Sequence, residues 1–454
     1  MNLDLQFDFF LGTHCKQLIM ILRAKYVLPD SEKLIENGAV LIAEDKIIDI
    51  DSYPTINHGK SEKVYDFGEA VILPGFVNAH THLELTNIHG QVKRTGNLTD
   101  WLMQLMKVRP RDKQAVEQAT SAGIAMSLAG GASTIADITN SGWTVRTLKR
   151  SSIRKLVFYE AIGFTQNRLL MLIVIARLLA KLYAVRADAL LTFGISPHAP
   201  YSVSADLYRK CCNIARSRKL HLCTHLAESQ SEHEFLMSGT GEFRDLLEKL
   251  GIAVDDWRPP RQTPVEYMHS LGIIDCSPLL AHCNYLKESD IQLLQTSNAN
   301  VVFCPRSHNY FYHRNHPFEN LMKAGVNVAL GTDSLVSNDS LSMLDELKFL
   351  HQSQHGTPPE TLLSMATLNG AKALKLYGQI GALRRGWQAD IIVVQISPIT
   401  ESATHDSTLR RKVIEKILND ESQNVFTMVA GKICYNLEEG GVQDVFLDKE
   451  KKEE

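Results

Sequence analysis

Eight short apolar runs, each ending in polar residues and most separated from the next by a helix-like stretch, dominate the middle of this sequence. They are VILPGFVNAHTH, STIADIT, KLVFYEA, LLTFGISPHAP, LHLCTHLAES, PLLAHCNYL, NVVFCPRS and NVALGTDS. Strands alternating with helices build a parallel sheet, and eight of them are enough to close one into a barrel. Helices are predicted over Ala115 to Leu128, Ala205 to Arg218, Ser289 to Thr296 and Leu341 to His351. The expected fold class is therefore α/β, a (β/α)₈ TIM barrel.

At 454 residues the chain exceeds what one core usually organises. Before the barrel, residues 20–73 alternate aliphatic runs such as AVLIAEDKIIDI with Asp, Asn and Gly turns, the mark of a small antiparallel unit. The same rhythm returns late, in ADIIVVQI and NVFTMVAGKICYN. The expected organisation is an N-terminal extension (1–19), a small β-sandwich-like domain from 20–73 plus 386–440, a catalytic barrel over 74–385 and a tail over 441–454. The connection from Ser229 to Asp275, with Trp257, Pro259 and Pro260 in it, is long for one strand-to-helix link and reads as a lid or substrate loop.

Several partner classes are excluded by composition. The net charge of −3 and the scattered Lys and Arg residues offer no strip for nucleic acid. The apolar segment Leu169 to Ala176 is interrupted by Arg177 and Lys181 well short of the ~20 residues a membrane span needs. A buried or amphipathic helix is expected there, with no membrane association. Asp4 and Asp8 near the start, with no basic stretch, do not look like a secretory signal. The eight cysteines form no CxxC pair and mostly sit in apolar runs, as thiols of a cytoplasmic protein do.

The strand ends carry the chemistry, because barrel active sites are built there. His80 and His82 end the first strand, His225 the fifth, His282 the sixth and Asp333 the eighth. A single histidine at a strand end is usually an ordinary polar residue. Four histidines and an aspartate at the corresponding ends of four strands point instead to a shared metal centre. Imidazoles with one carboxylate suit zinc, and also iron or manganese.

The stretches LPGFVNAHTHLE, SPHAPYS, THLAES, AHCNYL and LGTDSLVSNDSLSMLDEL resemble, in order, the signature motifs of the amidohydrolase superfamily in its chlorohydrolase and nucleobase-deaminase branch. The resemblance implies one divalent metal ion, Zn²⁺ or else Fe²⁺, held by His80, His82, His225 and Asp333. It makes His282 the holder of the attacking water, Glu228 the proton-transferring carboxylate and Asp333 the acceptor of the water's proton. Some superfamily members hold two metals through a carboxylated lysine on the fourth strand. LLTFGISPHAP contains no lysine, which favours one metal, while Glu160 on the third strand leaves a second site open.

Within the branch, HTHLELTN, SPHAPYSVS and SNDSLSMLDEL are most similar to aminodeoxyfutalosine deaminases of the alternative menaquinone pathway. The implied reaction is hydrolytic deamination of an aminopurine nucleoside, a small-molecule substrate, by an enzyme expected to be a homodimer. Glu84 and Ser334 are then either purine contacts or supports behind the site. His198 is either a substrate contact or structural, and Trp101 either stacks on a substrate ring or packs in the core. Where relatives carry CP-x-SN after the seventh strand, this chain has CPRSHNYFYHRNHPF, whose His308, His313 and His316 are expected to shape the pocket. Rival readings are a methylthioadenosine, S-adenosylhomocysteine or guanine deaminase, a chlorohydrolase or amide hydrolase, and an inactive structural relative, which would lack metal ligands.

Overall fold

The computed structural model describes residues 19–56, 63–164, 167–354, 356–400 and 406–443. The expected N-terminal extension lies outside these except for Ile19, as does most of the tail. Among the described residues, eight parallel strands form one sheet in sequential order: Phe76–Thr81, Ala132–Thr139, Arg154–Ala161, Leu191–Pro197, His221–Leu226, Leu279–His282, Asn300–Phe303 and Asn327–Leu330. The first and last strands meet through a parallel bridge between Thr81 and Asp333, which closes the barrel. Val77, Ala79, Ile138, Phe158, Cys223, Val302 and Ala329 belong to the buried cluster of the strands, which the helix Leu368–Ala373 joins through Ala371 and Ala373. The helices Lys113–Ala129, Ala205–Arg218, Glu288–Gln295 and Met343–Ser353 fall within a few residues of the predicted ones.

The run VILPGFVNAHTH is not one strand. Ala70–Pro74 pairs with Ile391–Gln395 and Ile19–Asp30 in a second, mixed sheet, whereas Phe76–Thr81 enters the barrel. Gly75 is the joint. A β-carbon there would lie 2.3 Å from Ser133 Oγ, so only glycine lets the chain cross between sheets at this distance. The second sheet gathers N- and C-terminal segments, running from Gly441–Val442 through Lys432–Asn436, Gln423–Val429, Ile391–Gln395, Ala70–Pro74, Ile19–Asp30 and Lys33–Ala43 to Lys46–Ser52, with Lys63–Asp66 alongside Ile19–Asp30.

A buried ion pair ties this sheet to the barrel. Arg154, at the start of the third barrel strand, donates through Nε and Nη2 to the two carboxylate oxygens of Asp390, each at 2.9 Å. Asp390 also accepts from the Ala430 amide at 2.8 Å, and its carbonyl receives the Gly75 amide at 2.9 Å.

Two expectations are refined. The helix Arg168–Ala184 packs one face, Met171, Val174, Ile175, Leu178 and Leu182, against the core, but only Leu178 is fully buried and Leu169 is 66% exposed. Its aliphatic residues extend round the axis beyond that face, so docking one face cannot bury them all. Among the cysteines, Cys212 and Cys276 are joined as a disulfide across 64 residues of sequence. No short spacing motif could have announced that pair. Cys211, Cys223, Cys283, Cys304 and Cys434 are buried free thiols, as expected. Among the described residues no helix is long and apolar enough to cross a membrane.

Replacing Arg154 with Ala strands a buried carboxylate and should lower unfolding free energy by about 3–5 kcal/mol. The check is the urea midpoint; an unchanged midpoint would show that the pair does not join the two sheets.

Candidate active site

The closing seam brings the ends of the first and eighth strands into contact. The amides of Thr332 and Asp333 donate to the His80 carbonyl at 3.1 and 3.0 Å, and Asn78 bonds both the Thr332 hydroxyl and amide. At Gly331 a β-carbon would come within 2.9 Å of His80, so the glycine is what permits this approach. Asp333, in the left-handed region at φ 58°, turns its carboxylate toward the barrel axis. Oδ2 accepts hydrogen bonds from Ser307 at 2.7 Å and Ser337 at 2.9 Å. Oδ1 is left facing His80 Nε2 at 3.6 Å and His82 Nε2 at 3.7 Å.

The remaining imidazoles converge on the same point. His82 Nε2 lies 3.3 Å from His225 Nε2, and the His80 ring is 4.9 Å from that of His225 and 5.5 Å from that of His282. His225 donates its Nδ1 proton to the His198 carbonyl at 3.1 Å, which leaves the Nε2 lone pair pointing inward. Burial, reinforced by the neighbouring His80, lowers the pKa of His82 to about 4. Burial also brings His282 to about 3 and His225 well below its usual range. All three rings are thus neutral at physiological pH, the form in which imidazole ligates metals.

These residues fit a divalent metal. Two overlapping sets, His80 with His225 and His282, and His80 with His82 and Asp333, each place one ligand atom per residue within 4.8 Å of the others. His80 Nε2 and His282 Nε2 are buried without a hydrogen-bond partner, a cost that a cation at His80 and a water beside it at His282 would remove.

Glu228 approaches from the other side, its Oε1 3.7 Å from His282 Nε2. Burial, with the charges of Asp333 and Glu232 behind it, raises its pKa well above the usual carboxylate value. Glu232 holds the turn, accepting from the amides of Ala227 and Glu228 at 2.9 Å each. For Asp333, burial pushes the pKa up, but the His80 ring with its Nε2 at 3.6 Å and the surrounding imidazoles outweigh it and hold the group well below the carboxylate range. Two acids facing one cavity are therefore biased to opposite protonation states.

The family assignment follows from sequence comparison over the same elements: residues 71–434 match the amidohydrolase family. This chain belongs to the amidohydrolase family. Membership makes it a hydrolase, built on a fold that solved structures share, and its deaminase-named relatives point to carbon–nitrogen bonds. Over 92% of the chain and 96% of the relative, it is 27% identical to a 5-methylthioadenosine/S-adenosylhomocysteine deaminase of Syntrophobacter fumaroxidans. A zinc-bound adenosine deaminase of Xanthomonas campestris superposes with a TM-score of 0.76 at 24% identity, covering 95% of this chain and 94% of its own. An aminofutalosine deaminase of Helicobacter pylori superposes at 0.77 and 24% identity, covering 91% and 99%.

Above this amidohydrolase centre lies a cavity of about 270 Å³. Its floor includes His82, His198, His225, Glu228, His282, Asp333 and Ser334, and its outer wall is apolar. The helix Leu98–Val108 contributes Trp101 and Leu105, and Trp101 packs edge-on against Phe311 at 5.3 Å. The long connection after the fifth strand is mostly helical and supplies Leu246, Leu247, Leu250 and Ile252. His198 has its Nδ1 bound to Ser202 at 2.7 Å.

Glu84 stands apart from this cavity. Both its oxygens are taken, by Arg109, the hydroxyls of Thr139 and Ser141, and the amides of Asn140 and Ser141. Burial opposes its ionisation, but Arg109 and these donors hold its pKa low. What reaches the cavity is Arg109, pinned by Glu84 and 4.0 Å from Glu160. Glu160 also lines the cavity, accepting from Asn140 Nδ2 at 3.0 Å and lying 3.9 Å from His198 Nε2. The sequence reading missed Arg109, Ser307 and Ser337. Ser307 and Ser337 lay inside the stretches CPRSHNYFYHRNHPF and LGTDSLVSNDSLSMLDEL, but nothing in their spacing tied them to Asp333.

Converting both Ser307 and Ser337 to Ala releases Asp333 Oδ2 and should weaken zinc binding by about 10- to 100-fold. Competition with a chromophoric chelator reads this directly, and equal affinity would remove the two hydroxyls from the site.

Proposed function

We propose that this chain is a metal-dependent aminohydrolase that replaces the amino group of an aminated purine nucleoside with oxygen. The observation that carries the reading is the pair of carboxyls facing one cavity, Glu228 biased toward its protonated form and Asp333 toward its ionised form. Divergent pKa values of this kind separate an acid from a base. The names of the curated relatives, deaminases of methylthioadenosine and S-adenosylhomocysteine, support the same chemistry.

On this reading His80, His82, His225 and Asp333 hold one divalent ion, zinc in first place and iron in second. Such an ion, when bound, polarises a water and can lower its pKa toward ~7. With the ion bound, Asp333 Oδ1 would accept the water's proton and His282 Nε2 would orient the water. Glu228 places its own proton on the ring nitrogen beside the carbon under attack. The carbon–oxygen bond forms, the proton taken up by Asp333 passes to the amino group, and the hydroxyl proton of the adduct returns to Glu228. The carbon–nitrogen bond then breaks, and ammonia and the oxo-purine leave. The apolar outer wall suits a nucleoside with a largely apolar 5′ substituent, and the first two substrates to test are methylthioadenosine, whose substituent is uncharged, and aminodeoxyfutalosine, whose aryl group carries a carboxylate. Ser334 and His198 both line the cavity, which supports reading them as purine contacts.

The deciding experiment is a panel of adenine nucleosides, with guanine and a chlorotriazine as controls, assayed for ammonia and by mass spectrometry. We expect amino-to-oxygen exchange on an adenine nucleoside, abolished by chelation and restored by zinc. Chloride release alone would turn the reading toward a chlorohydrolase. Glu228→Gln should leave the metal bound and slow turnover by ~10²-fold or more; wild-type kcat in that variant would take the proton transfer away from Glu228.

A further inference from the structure

The loop between the seventh and eighth barrel strands carries three histidines, and each of them meets the chain segment leaving the sixth strand. His316 Nε2 lies 2.7 Å from the backbone oxygen of His282. A carbonyl only accepts, so this imidazole donates through Nε2. Its ring is stacked on Phe303, with centroids 3.8 Å apart and planes 15° from parallel, and that stacking sets the direction of the donor. Nδ1 is buried without a partner, which leaves the single bond to His282 as the ring's polar contact.

The other two histidines continue the pattern. His308 Nδ1 is 3.1 Å from Asn284 Oδ1, and Asn284 Nδ2 donates to the Glu228 carbonyl at 2.9 Å. Because the amide nitrogen of Asn284 is committed to Glu228, its oxygen must accept, and His308 is the donor. His313 Nδ1 meets the Tyr285 hydroxyl at 2.9 Å. In this way His282, Asn284 and Tyr285 are each held by one imidazole.

The segment they hold needs holding. His282 and Cys283 follow one another in the left-handed region, at φ 73° and 54°. Non-glycine residues persist in such conformations only where the surroundings fix them, and strain of this kind gathers at functional sites. The Cys283 and Tyr285 amides bond back to Leu226 and Ala227 at 2.8 and 3.1 Å, which secures one side of the segment. The three histidines secure the other.

We propose that His308, His313 and His316 form a clamp that keeps His282, and through Asn284 also Glu228, in working orientation. This rests on the roles given to His282 and Glu228 above. His316 is a positioning residue: it bonds only the backbone of His282, and neither the substrate nor the reacting atoms.

The test uses full-length, zinc-loaded protein labelled with ¹⁵N-histidine, the His282 ring resonances being assigned from His282→Asn. His316→Leu removes the donor, and His316→Gln returns an N–H at similar reach. We expect H316L to keep its zinc, lose about tenfold or more in kcat with KM little changed, and shift and broaden the His282 resonances. H316Q should recover most of both. If H316L does not fold, His308→Phe, which removes the donor to Asn284, should lower kcat by about tenfold at constant KM. Wild-type kcat and an unmoved His282 resonance in H316L overturn the proposal, as does wild-type kcat in H308F. If the wild type deaminates no aminated purine, the substrate reading fails and the resonances alone decide the clamp.

Discussion

The structure depends on the seam where the eighth barrel strand meets the first. Backbone bonds from Thr332 and Asp333 to His80 do two things at once: they close the sheet, and they set a carboxylate against two imidazoles. Gly331 allows the approach, and the left-handed backbone of Asp333 turns the side chain inward. Stability and chemistry are therefore not separable at this point.

Around the seam, the protein sets charge states by burial and by committing hydrogen bonds. His225 gives its outer proton to a carbonyl of the neighbouring strand, so only its lone pair can face the centre. Two serine hydroxyls hold one oxygen of Asp333 and leave the other free. Glu84 spends both oxygens within the protein and delivers Arg109 to the cavity in its place. At His225 and Asp333 the functional atom faces the cavity because another atom of the same side chain is engaged elsewhere.

The barrel and the five residues at its mouth were readable because strand alternation and strand-end polarity are local properties. His80, His82, His225, His282 and Asp333 stand at strand ends in the sequence, and the parallel fold then brings all such ends together. What was not readable depends on partners distant in sequence. Glu84 follows the HTH motif, and its sequence left it either a purine contact or a support behind the site, because its donors come from Thr139 to Ser141 and from Arg109. The break at Gly75 was invisible inside a continuous apolar run, because what forces it is Ser133 on another strand. The pairing of Cys212 with Cys276 had no spacing cue, and the exposure of the helix Arg168–Ala184 contradicts its own composition.

The loop after the seventh strand also contributes Ser307 to Asp333, so it touches both the sixth-strand exit and the eighth-strand end without owning either. Barrels are often pictured as rigid frames on which each loop can be swapped alone to obtain a new specificity. Here that modularity is lost: grafting this loop from a relative would import unfit neighbours for two other loops, so natural variation should have had to replace them as a set.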